Sequence, residues 1–335
     1  MSLLRMPTEL LLQILGCLGS SFFCEDPRRL AVSRQWFLLA RKVFLEDVRL
    51  SPKSLEQLLY NPSESRLAAL KQNLRSIDLQ LNGLENKKSK VSDWDRCLWL
   101  APCAATLDQE LNGLITILQD CKKLRALRLT ASREFPATSL RIDRFIYLWS
   151  CRVLKLITLD NLTTLTLDTC GTMLPGIGPH HEGKHLCASI SSLLTTLRHL
   201  RLRMRSICPV AFRLPKGDTP LPLMEVVVNI SIYGDSPKDH PTLYSRKCGF
   251  NLRRRHPLKE MQDRAKLLVA RMSLLRRVRI LSGPAGHLKS WDALTGKRRT
   301  LADGAEWDDE RMEETLEDNG DHSDDDSAVL GVPEQ

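Results

Sequence analysis

One short pattern recurs through the middle of this chain. An aliphatic residue is followed three positions later by a second and five positions later by a third. The pattern starts at Leu45 (LEDVRL), Leu74 (LRSIDL), Leu124 (LRALRL), Leu162 (LTTLTL), Leu197 (LRHLRL), Leu223 (LMEVVV) and Leu275 (LRRVRI). The last two aliphatic positions are two apart, the period of a strand with one buried face. Helix-like segments precede four of the triples: SESRLAALKQN before Leu74, LDQELNGLITILQD before Leu124, KHLCASISSLL before Leu197 and LKEMQDRAKLLVARM before Leu275. A strand, a helix and another strand pair in parallel, because the helix carries the chain back over the sheet.

The triples start 29, 50, 38, 35, 26 and 52 residues apart, so the longer intervals require insertions. Residues 83–106, 204–222 and 232–257 read as such loops. Two triples extend into a fuller pattern, from Leu74 to Asn82 and from Leu162 to Cys170. This arrangement resembles an irregular leucine-rich-repeat solenoid, with a parallel strand ladder and helices on the convex side. An ordinary α/β domain of strand–helix units is the alternative. The stretch SWDALTGKRRTL, from Ser290 to Leu301, reads as two short strands around Thr295-Gly296 that cap the open end.

The first 46 residues have a different rhythm. Leu10, Leu11, Ile14, Leu15 and Leu18 fall on one side of a helix, with Thr8 as its N-cap and Gly16 and Gly19 ending it. A second helix is expected from Asp26 as N-cap and Pro27, with Leu30, Trp36, Phe37, Ala40 and Phe44 as its apolar side. The linker GCLGSSFFCEDP between them exposes Phe22 and Phe23 on this reading. Two helices of this length bury little on their own, so the apolar side needs either the rest of the chain or another protein.

Residues 6–50 resemble an F-box. The resemblance rests on Met6-Pro7-Thr8-Glu9-Leu10-Leu11-Leu12-Gln13-Ile14, then Leu30, Val32-Ser33-Arg34 and Trp36, then Phe44 and Leu45. Met6 stands where Leu is commoner. Together with the repeats and SLEQLL after the first strand, the chain is similar to fungal F-box proteins. The resemblance implies a substrate receptor of an SCF-type ubiquitin ligase, non-enzymatic and without cofactor. Pro7, Leu10, Leu11, Ile14, Leu15, Leu18, Leu30, Val32 and Trp36 would then dock a Skp-type adaptor of a cullin–RING ligase. The domains expected are residues 1–46 as the F-box module, 47–302 as the repeat-like domain and 303–335 as a disordered acidic tail.

Charge divides the chain the same way. Residues 301–335 hold 14 acidic residues and one Arg, so the first 300 residues carry a net charge of +22. If the triples are strands, the residues between their aliphatics share the opposite face: Ser76, Asp78 and Gln80, then Arg128 and Thr130, then Thr164, Thr166 and Asp168. Further along come His199, Arg201, Arg203, Glu225, Asn229, Arg277 and Arg279. Arginine forks favour carboxylates and phosphates, so Arg128, His199, Arg201, Arg203, Arg277 and Arg279 are the candidate contacts for an acidic or phosphorylated substrate. A competing reading is a non-catalytic scaffold with a vestigial F-box that binds nucleic acid or acidic partners through its basic body.

Other signals point to less. The ten cysteines contain no C-x-x-C pair, so free thiols of a reducing compartment are expected and no metal site. GPHHEGKHLC places His180, His181, Glu182 and His185 near Cys187, but without a metalloprotease spacing it reads as a polar loop. The N-terminus lacks the pattern of a secretory signal and no apolar run is long enough for a membrane span, so a cytoplasmic or nuclear protein is expected. No nucleophile, base and acid stand out as an enzyme's set.

Overall fold

The structure is a computed structural model. It describes residues 6–60, 63–81, 93–131, 147–172, 174, 186–232, 243–244, 248, 258–274, 276–283, 288–301, 307 and 314–316.

All seven triples are strands. They are β1 (Asp47–Leu50), β2 (Ser76–Gln80), β3 (Ala126–Thr130), β4 (Thr164–Thr169), β5 (His199–Met204), β6 (Glu225–Asn229) and, after a small β7 (Ser231–Ile232) and β8 (Leu243–Tyr244) hairpin, β9 (Arg277–Ser282). Each begins two residues after the first leucine of its triple. They pair in parallel in chain order, β1-β2-β3-β4-β5-β6-β9. The register aligns the triples: Val48, Ile77, Leu127, Leu165, Leu200, Val226 and Val278 form one row across the sheet.

One backbone motif repeats at every junction. The carbonyl of Glu46 accepts the N–H groups of both Arg75 and Ser76, at 2.8 and 2.9 Å. Arg75, Arg125, Thr163, Arg198 and Met224 accept the same two N–H groups from the next strand. These six acceptors occupy the same position in six triples, immediately after the first leucine. Segments of unequal spacing are therefore equivalent in their hydrogen bonding.

Strands in strict chain order with right-handed crossovers place every crossover on one face of a sheet. Helices α3 (Pro52–Tyr60), α4 (Glu64–Asn73), α5 (Asp93–Gln119), α6 (Ser150–Ile157), α7 (Leu186–Leu193) and α8 (Leu258–Val269) supply the apolar layer there. Leu55, Leu114, Leu156, Ile190 and Leu268 join Leu79, Leu129, Leu167 and Leu202 in one continuous core. Arg152 on α6 clamps Asp108 on α5 through two bonds of 2.6 and 2.8 Å, tying successive helices together. The sheet ends in antiparallel β10 (Lys289–Asp292), β11 (Arg298–Leu301) and β12 (Glu314–Leu316). Gly296 turns β10 into β11 at a φ of 69°, where a side chain would be strained.

Several expected boundaries move. Helix α5 takes in residues 93–106, which read as loop in the sequence. The 204–222 segment contains a buried 3-10 turn, Pro209–Phe212, with Phe212 and Ile207 in the core. The expected acidic tail is not uniformly unstructured: Trp307 is buried and Glu314–Leu316 pairs with β11. Asn82, most of the loop expected at 232–257 and the histidine-rich stretch 180–185 lie outside the described residues.

The N-terminal unit has its own core. Helix α1 spans Thr8–Glu25; it continues through Gly16 but is broken at Gly19, the second of the expected stops, whose φ is 73°. Pro7, not Thr8, precedes its first turn, and its carbonyl accepts Leu11 N–H at 3.1 Å. Asp26 does cap a helix, but a 3-10 turn, Pro27–Leu30. The second helix is α2 (Arg34–Phe44), capped by Ser33, whose hydroxyl accepts Trp36 N–H at 3.1 Å. Leu11, Leu15, Phe23, Trp36, Leu39, Ala40 and Val43 form this core. Phe44 packs on it, whereas the next residue, Leu45, packs on the core of the sheet.

Candidate functional sites

The nine candidate docking residues of the N-terminal unit fall into two groups. Leu11 and Leu15 are 0% exposed and Trp36 is buried, so these three hold the unit together and have no surface to offer a partner. Leu30 is half-buried against the same core. Trp36 is fixed further by its indole N–H, which donates to the Arg29 carbonyl at 2.6 Å. Pro7, Leu10, Ile14, Leu18 and Val32 are exposed or half-exposed. Leu10, Ile14 and Leu18 are four residues apart on α1 and therefore form one stripe beside the core-facing Leu11 and Leu15. Leu10 is 46% exposed and Val32 63%.

The spacing of α2 explains two residues the sequence reading missed. Trp36, Leu39, Ala40 and Val43 follow the i, i+3, i+4, i+7 pattern of the core side. Phe37 and Leu38 are thereby turned outward, with Leu38 55% exposed. Phe37 was expected among the buried residues of this helix, and the Leu39 and Val43 positions carry that role instead. Phe23 is fully buried and Phe22 is half-buried, contrary to the exposed linker expected. Arg29 covers Phe22, its guanidinium 4.3 Å from the ring centre, and donates to the Phe22 carbonyl at 2.6 Å and to Glu25 at 2.9 Å.

The second surface is the sheet face away from the helices. Cross-strand register places the candidate substrate residues side by side: Arg128 beside Thr166, His199 beside Glu225, Arg201 beside Val227, Glu225 beside Arg277 and Val227 beside Arg279. The structure thus brings His199, Arg201 and Arg277 to one point, the Glu225 carboxylate. Arg201 donates to both of its oxygens at 3.2 and 3.0 Å, Arg277 donates at 3.3 Å, and His199 Nδ1 lies 3.4 Å away. Burial alone would raise the Glu225 carboxyl, but Arg201, Arg277 and His199 outweigh it and hold it below the ordinary carboxylate range. Arg203 makes a two-pronged pair with Asp168 and lies 5.3 Å over the Trp307 ring.

The face is therefore less open than a bare arginine cluster. Arg201, Arg203 and Arg277 already have carboxylate partners within the sheet, and their side chains are mostly covered. Near its far end, Val227 and Leu281 are capped by Leu301 and Trp307, with Leu288 beside them. Toward the start of the sheet, Arg128 is exposed and Arg49 pairs with Asp78 at 3.1 Å. The signal for this compensation was present in the sequence: Asp168 and Glu225 occupy the same inter-aliphatic positions as the arginines. Which pairs meet depends on the register, which a single strand's pattern does not give.

No helix among the described residues is long and apolar enough to cross a membrane. No family model matches the chain, and no curated protein matches it.

Proposed function

We propose that this chain is a non-catalytic substrate receptor, with the module of residues 1–46 docking a Skp-type adaptor of a cullin–RING ubiquitin ligase. On this reading the N-terminal unit is an F-box and the seven-strand parallel ladder is an irregular leucine-rich-repeat solenoid. One observation carries the reading. A small helical unit with its own closed core keeps Leu10, Ile14, Leu18, Val32 and Leu38 at its surface. Removing such side chains from water is favourable by about 1.5–3 kcal/mol each, so a fitted groove on a partner would bind them tightly. The in-register triples and the repeated two-fold carbonyl acceptor support the solenoid half of the reading.

Substrate recognition belongs to the sheet face. The open part around Arg49, Asp78 and Arg128 is favoured over the covered end at Trp307, and the segment recognised is acidic or phosphorylated. The test is co-purification of the full chain with the recombinant adaptor. Wild type is expected to retain the adaptor, and Leu10→Glu with Val32→Glu to lose it while keeping its thermal transition. No retention by wild type would overturn the proposal. Strong, salt-sensitive binding to generic DNA in its place would point to the scaffold reading.

A further inference from the structure

Three cysteines from distant parts of the chain converge on the helix side of the sheet. Cys187 lies in the first turn of α7, Cys208 immediately precedes the 3-10 turn Pro209–Phe212, and Cys248 comes from the segment between β8 and α8. Their sulfurs all lie within 4.8 Å of one another. Cys187 Sγ and Cys248 Sγ are 3.7 Å apart. A zinc ion with Zn–S bonds of about 2.3 Å in tetrahedral geometry holds its sulfurs about 3.8 Å apart. The three thiols thus stand close to the spacing that zinc imposes. The N–H of Cys208 also donates to Cys187 Sγ at 3.4 Å, the kind of contact that orients a thiolate ligand. Cys187 and Cys208 are buried, while Cys248 is only partly so and leaves an approach from solvent.

We propose that Cys187, Cys208 and Cys248 bind one zinc ion as three thiolates, the fourth position being taken by water or one further donor. The ion fastens Cys248 to Cys187 and Cys208 of the helix layer. Contacts with Cys208 and Cys248, and then burial, raise the Cys187 thiol well above the ordinary thiol range. An ordinary thiol, with a pKa of about 8.5, is protonated at neutral pH. Zinc binding forms three Zn–S bonds and releases three protons to solvent, with no change of oxidation state, so affinity falls steeply as pH is lowered. The absence of a C-x-x-C pair does not bear on this site, because the fold rather than local spacing brings the ligands together.

The test uses the full chain, fully reduced and stripped with a chelator. Cobalt(II) serves as the optical probe and zinc(II) as its competitor. One equivalent of cobalt is expected to produce thiolate-to-metal charge-transfer absorption, which zinc then abolishes with three thiols protected from alkylation. Cys248→Ala, at the partly exposed position, should fold as wild type by circular dichroism and bind about a hundred-fold more weakly. Three results would each overturn the proposal: no charge-transfer band, unchanged affinity in Cys248→Ala, or a Cys187–Cys248 disulfide in protein isolated without reductant.

Discussion

The N-terminal unit and the sheet domain are both built on leucine, yet they treat it in opposite ways. Within the sheet, every described aliphatic of the triples from Leu74 onward is buried, and Leu79, Leu129, Leu167 and Leu202 are fully so. In the N-terminal unit, Leu11 and Leu15 are fully buried while Leu10 and Ile14, each one residue before them, and Leu18, three residues after Leu15, are not. A repeat can always be covered by the next repeat. A two-helix unit closes one small core, and its second apolar stripe lies outside that core. Equal leucine content thus serves enclosure in one region and display in the other.

Four substitutions, the last set beside a reference partner, probe this contrast in decreasing order of expected effect. Leu200→Ala, in the middle of the in-register row, should cost about 4 kcal/mol in denaturant unfolding, because its site is enclosed on all sides. A loss under about 1 kcal/mol would mean the ladder is far looser than its packing. Glu225→Gln should cost about 3 kcal/mol at neutral pH, since it leaves Arg201 and Arg277 without their shared carboxylate. The sign of its pH dependence follows from the depressed carboxyl. The stabilisation is complete above the unfolded value of about 4.3 and is lost as pH falls through the folded value. Wild type and Glu225→Gln should therefore converge in stability only as pH falls below the unfolded carboxyl value and through the depressed folded one; parallel curves would contradict the assigned pairing.

Ser33→Ala removes the cap of α2 and should cost about 1 kcal/mol, read as a lowered midpoint of the unfolding transition. Leu10→Ala should change stability by no more than about 0.5 kcal/mol, the range for exposed positions. Set beside Leu11→Ala, one residue away and fully enclosed, it isolates display from enclosure within a single helical turn.

The strands were legible because a strand's period of two leaves little choice once one face is buried. All seven triples gave strands, and the hairpin around Gly296 was read from its turn residues. The helix boundaries were less legible. Gly16 meets nothing within 4 Å and stays in the helix at only its intrinsic cost, so α1 continues where the sequence indicated a stop. Pairing on the charged face was not legible at all. Asp168 with Arg203 and Glu225 with Arg201 are neighbours only in the register of adjacent strands. The same holds for Cys187, Cys208 and Cys248, which no local spacing links. Trp307 was hidden by the acidic composition around it, which outweighed a single aromatic.

The most direct test of the displayed stripe is calorimetric titration of the full chain with a Skp-type adaptor at several temperatures. Burial of Leu10, Ile14, Leu18 and Val32 in a groove predicts a negative heat-capacity change, strongly reduced in Leu10→Glu with Val32→Glu, whose unfolding transition stays at the wild-type midpoint. Binding with equal affinity and heat-capacity change in both proteins would contradict the account.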